Sequence, residues 1–181
     1  MLAVAEGSAS IADTKGCASP VAALESALED LAAVIAALSR EAYTARLFPN
    51  ASGSIGQHMR HCLDHVSALI AADPSSCLSY DLRERGTTVE TDPAQALRSI
   101  QLLRIKIAVG RWSARLDGPI CVISAVTRDG GMLTGMSTLA RELAFVLSHT
   151  IHHQAMIGLL ASLHGSDVPD GFGFAPSTPR Q

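Results

Sequence analysis

Four stretches of this chain repeat apolar residues at steps of three and four, and each opens on a capping signal, a pattern that amphipathic helices satisfy. Ser19-Pro20 supplies an N-cap and a proline at the first helical position, and Val21, Leu24, Leu28, Leu31, Ile35 and Leu38 follow. That spacing predicts a first helix reaching to near Arg46. Ser54 with Gln57 three residues on forms a capping box at the head of a second helix, running to about Ala72 before Asp73-Pro74. Asp92-Pro93 repeats the cap-and-proline start, and Leu97, Ile100, Leu103 or Arg104, Ile107 and Trp112 predict a third helix ending near Asp117-Gly118-Pro119. Ser137 or Thr138 caps a fourth, from Leu139 to about His164, with Gly165 closing it.

What lies between these helices is less periodic. The stretch through SYDLRERGTTVE mixes charges with Gly86 and two threonines, and reads as a loop of roughly 18 residues, a length usually reserved for function. The β-branched run ICVISAV, followed by Arg128-Asp-Gly-Gly131, reads as a short strand or extended crossover, with a small hairpin as the alternative. Hydrophobic residues make up 48% of the chain but aromatics only 4%, and Ala and Leu dominate, which favours helix over sheet. The expected fold class is therefore all-α, a four-helix bundle with a long crossover between helices three and four. Residues 1–18 are expected to form a flexible N-terminal arm, 19–165 the bundle and 166–181 an irregular C-terminal tail.

A formal net charge of -3, from 14 basic and 17 acidic residues scattered along the chain, leaves no basic stripe for nucleic acid or anionic lipid. MLAVAEGSAS lacks a basic segment before its apolar residues, and no run reaches about 20 apolar residues, so no membrane partner is expected. Cys17, Cys62, Cys77 and Cys121 form no CxxC pair, which argues against a thiolate zinc site and a dense disulfide framework and suits a cytoplasmic location.

Six of the seven histidines fall in two short runs, His58, His61 and His65 in QHMRHCLDH and His149, His152 and His153 in SHTIHHQ. At roughly 100° per residue, the first run makes a stripe on the second helix, and His149 and His153 stack on one face of the fourth with Phe145, Met156 and Leu160. An i, i+4 pair lets two imidazoles reach one divalent first-row ion, and a third ligand from another helix completes a set with open positions. Hydrogen-bonded core or surface positions suit His65, His152 and His164 better. Glu142, seven residues before His149 on the same face, could orient a ligand histidine or act as a general base on water at the metal; as a first-turn glutamate it also favours the helix dipole. Asp64 lies about 60° from His61 and fits a supporting partner or a solvated edge, while Tyr80, Arg83, Glu84 and Arg85 could line the mouth. Cys62 lies off the stripe and is no nucleophile candidate.

The segment Ser54-Ile55-Gly56-Gln57-His58-Met59-Arg60-His61 and the HxxxH of His149 and His153 resemble the DinB-like superfamily, which includes bacillithiol- and mycothiol-dependent transferases. The resemblance covers about residues 20 to 165. It implies a metal triad of His61, His149 and His153, with His58 or His65 able to replace or join His61. The cofactor it implies is a divalent ion, Zn²⁺ or Ni²⁺. The expected activity is a metal-dependent transfer of a thiol or a hydrolysis, with Glu142 as catalytic residue and a small-molecule substrate such as a low-molecular-weight thiol. The alternative is a non-catalytic metal-binding or stress-response bundle, in which an apolar face could serve a homodimer.

Overall fold

The computed structural model describes residues 19–48, 53–82 and 85–179. The expected N-terminal arm, with Cys17, and the loop residues Arg83 and Glu84 lie outside them. The elements run, in chain order, α1 Pro20–Ala36, α2 Arg40–Thr44, α3 Ile55–Ile70, β1 Cys77–Leu78, α4 Pro93–Val109, β2 Pro119–Ala125, β3 Met132–Thr138 and α5 Leu139–Leu163, with 3-10 turns at Thr88–Glu90 and Trp112–Ala114.

The helices begin where side chains satisfy their first backbone N–H groups. Ser19 accepts from the Ala22 amide and Asp92 from Ala94, each ahead of a proline in the first turn. Ser54 accepts from the Gln57 amide while the Gln57 side chain accepts from the Ser54 amide. Thr138, the last residue of β3, caps α5 through the Arg141 amide, so strand passes into helix without a loop. The first predicted helix is broken: α1 stops at Ala36, Ser39 caps the separate α2, and the apolar spacing simply continues across the break.

Leu24, Leu28, Leu31 and Ile35 of α1, Ile55, Met59 and Leu69 of α3, Ile100 and Ile107 of α4, and Leu143 and Ile157 of α5 share one buried core. Each such side chain contributes roughly 1.5–3 kcal/mol by leaving water. α3 packs against α5 and α4, and α1 against α4 and α5. Trp112 ends α4 by donating its indole N–H to the Ile107 carbonyl at 2.8 Å. α5 is, by length and composition, long and apolar enough to cross a membrane, contrary to the sequence expectation, yet its buried side lies against α1 and α3 as a core helix does.

The all-α expectation is corrected by a three-stranded mixed sheet in the order β1-β2-β3, which makes the chain α/β. ICVISAV does not cross over alone. Six of its residues with Pro119 before them form β2, which pairs antiparallel with MLTGMST over seven register positions, Pro119 opposite Thr138 through Ala125 opposite Met132, and β1 adds in parallel, Cys77 opposite Cys121 and Leu78 opposite Val122. β-branched residues favour the pleated backbone, and Gly130, at φ 95°, allows the turn between the strands. Cys77 and Cys121 are joined by a disulfide across 44 residues of chain. Cys62 is buried as a free thiol in α3, and burial pushes its pKa up.

Candidate metal centre

The packing of α3 against α5 brings the two histidine runs face to face. His61, His149 and His153 each present one ring nitrogen such that the three atoms lie within 4.8 Å of one another. His61 Nε2 and His149 Nε2 are 3.0 Å apart, and His58 Nδ1 and His153 Nδ1 are also 3.0 Å apart. Since two bare lone pairs would repel at that distance, each pair shares a proton or a cation. Two nitrogens bound at 2.0–2.1 Å to one ion, at angles from 90° to tetrahedral, stand roughly 2.9–3.4 Å apart. The His61–His149 pair already has that separation, and a closure of about 1.5 Å, within reach of a ring rotation, would bring the widest of the remaining separations into the same range. The donor set fits a divalent first-row ion.

The other histidines divide by role. His65 is buried, 4% exposed, and its Nδ1–H donates to the His61 carbonyl at 2.9 Å. Its ring lies between Tyr80, parallel at 5.0 Å, and His149, at 4.2 Å. His152 is exposed, with its ring 5.3 Å from that of His153. His164 is the C-cap of α5, away from the cluster. Burial, reinforced by the neighbouring His149, His58, His152 and His65, lowers the pKa of His153 to about 3. His58 is lowered by burial and by His152. Both favour the neutral imidazole, the form that binds metal.

Glu142 is buried at 3% exposure, one helical turn above Phe145, with three donors around its carboxylate. Tyr80 donates at 3.0 Å, Ser137 at 2.7 Å and the Arg141 guanidinium at 3.2 Å. Its link to the histidines runs through Tyr80, which stacks on His65 and is held above the ordinary tyrosine range by burial and by Glu142 itself. Phe145 fills the space between Tyr80 and His149, its ring centre 5.3 and 5.8 Å from theirs. Of the loop residues expected at the mouth, Tyr80 thus joins the site and Arg85 is exposed. Asp64 turns away to Arg60 at 2.6 Å, and Arg60 also reaches Glu90 at 2.7 Å. The His58–His153 pairing and the parts of Ser137 and Arg141 were not legible in the sequence, because they depend on how α5, α3 and β3 meet.

No family model matches the chain. Among curated proteins, FK506-binding protein 5 of Rhizopus delemar is 33% identical over 103 residues, covering 56% of this chain and 26% of that protein. The chain therefore spans about a quarter of the length of the relative it matches, a protein named for binding FK506. The resemblance to the DinB-like superfamily is corrected on both counts. The relative found is an FK506-binding protein, and the architecture carries a mixed sheet and a disulfide where that family's four-helix bundle was expected. The short motifs around His61 and in HxxxH recur wherever helices place histidines one turn apart, so they do not define a family here.

Proposed function

We propose that His61, His149 and His153 hold one divalent ion, Zn²⁺ or Ni²⁺, in a site open to a small molecule, and that the chain is a metal-dependent enzyme of the hydrolase or thiol-transferase type. The observation that carries this reading is the convergence of three imidazole nitrogens from two helices within 4.8 Å, two of them 3.0 Å apart. Such an ion supplies Lewis acidity that favours the deprotonated form of a water or thiol at neutral pH. The protein's part is to keep its imidazoles neutral and oriented. His65, anchored on the His61 carbonyl and stacked on His149, limits how far those two rings can turn. Tyr80 covers His65 and donates a hydrogen bond from its hydroxyl to Glu142, so the carboxylate steadies that cover.

A second reading is a closed, non-catalytic metal site with His58 as fourth ligand. It is favoured by the 3.0 Å approach of His58 Nδ1 to His153 Nδ1, and by the buried His58 Nε2, which has no hydrogen-bond partner among the described residues.

Elemental analysis of tag-free protein after metal reconstitution tests the common ground. About one ion per chain is expected in the wild type and less than a tenth of that in His61→Ala and His149→Ala. Full occupancy in either variant, or none in the wild type, would sink the assignment. Cobalt substitution then separates the two readings. Added thiol should change the visible spectrum of an open site and leave a filled one unaltered.

A further inference from the structure

On the side of α5 turned away from α3, a groove of about 470 Å³ runs between that helix, the start of α1 and the C-terminal tail. Its size lies within the roughly 300–1,000 Å³ that holds small organic ligands. Pro20, Leu147, Ile151, Ala155 and Pro176 give it apolar walls, and among the described residues of its lining His152 is the one titratable side chain. The wall opposite the helix is built by two close approaches. Phe172 seats its ring on Gly158, where an added Cβ would stand 3.1 Å away, and Gly173, at φ 76°, brings its backbone against that of Ala155. These contacts pin the tail to α5, with the groove beside them.

We propose that this groove binds a small amphipathic anion, with its apolar body between Leu147, Ile151 and the prolines and its charged head at His152. Two features favour a negative head. His152 offers an imidazole donor at the groove's edge, and the 17-residue α1 begins there, at Pro20, where the Ser19 cap and the proline leave few free amides but no acidic residue in the first turn offsets the positive end of the dipole. Among the described residues, no carboxylate lines the groove to repel such a head. His152 also borders the histidine cluster, its ring centre 5.3 Å from that of His153, so a molecule held there lies beside the candidate metal centre on the same helix. Binding itself does not depend on the metal.

The test is a fluorescence titration of the full chain, freed of metal by chelator, with anilinonaphthalene sulfonate, an aromatic body carrying one anionic group. One saturable site per chain is expected. Ala144→Phe, which fills the groove from an exposed helix position, should weaken binding at least tenfold, and His152→Ala should weaken it about three- to tenfold, with circular dichroism confirming unchanged helix content. Saturable binding that both variants leave intact would place the dye elsewhere and overturn the proposal. So would absence of saturable binding, whether the groove is filled by another part of the chain or by a second copy. Because metal is absent throughout, failure of the metal reading leaves this result unaffected, and the reverse holds too.

Discussion

His153 shows what a crowded buried imidazole does to stability. In the unfolded chain it titrates near pH 6.5, whereas in the fold, burial and four neighbouring histidines hold it at about 3. Between those values the unfolded state takes up a proton that the folded state refuses. Stability from this group is therefore complete above pH 6.5 and falls as the pH drops towards 3. His58, lowered for the same reasons, adds to the effect. Metal-free protein should lose on the order of 1 kcal/mol between pH 7.5 and 5.5, read from urea denaturation. His153→Ala should flatten that dependence, and a wild type equally stable at both values would show that the rings are solvated. At the same scale, Tyr80→Phe removes one donor from the buried Glu142 carboxylate and should cost about 1–3 kcal/mol, measured the same way. An unchanged stability would mean that Ser137 and Arg141 suffice.

Among the elements, β1 is only two residues long, too short to hold its place by backbone pairing alone. The Cys77–Cys121 bond ties it to β2, and Tyr80 follows two residues later with its ring on His65 and its hydroxyl on Glu142. The disulfide thereby anchors the strap that covers the histidines. Closing 44 residues of chain restricts the unfolded state, so the double variant Cys77→Ser, Cys121→Ser should lose roughly 3 kcal/mol. Amide hydrogen exchange around Tyr80 should rise with it. Exchange identical to the oxidised wild type would show that the Tyr80–Glu142 contact holds the strap unaided.

At the scale of the whole molecule, the head of α3 must lie close against the 3-10 turn Thr88–Glu90 and against α2. A Cβ at Gly56 would collide with the Glu90 carbonyl and the Tyr43 ring, while the Tyr43 hydroxyl donates to the Val89 carbonyl at 2.7 Å. Gly56→Ala should cost about 1–3 kcal/mol in chemical denaturation and weaken metal retention as well, since His58 and His61 lie on the next turn of that helix. An unchanged midpoint would mean that the turn shifts freely. Such junctions mark where sequence reasoning stops. Capping by Ser19, Ser54, Asp92 and Thr138 acts within three residues, and the four-residue step from His149 to His153 acts within one turn, so both could be read directly. The extended character of ICVISAV was also legible, but the sheet it joins was not, because strand pairing closes loops whose partners a local pattern does not name. The same holds for the break at Ala37, the bond between Cys77 and Cys121, and the placing of Tyr80 beneath the histidines. Sequence by itself determined where α1, α3, α4 and α5 begin and the faces on which their histidines stand. Only the tertiary structure decided that His61 meets His149 and His58 meets His153, since those distances depend on how α3 and α5 pack, a non-local balance of core volume and strand closure.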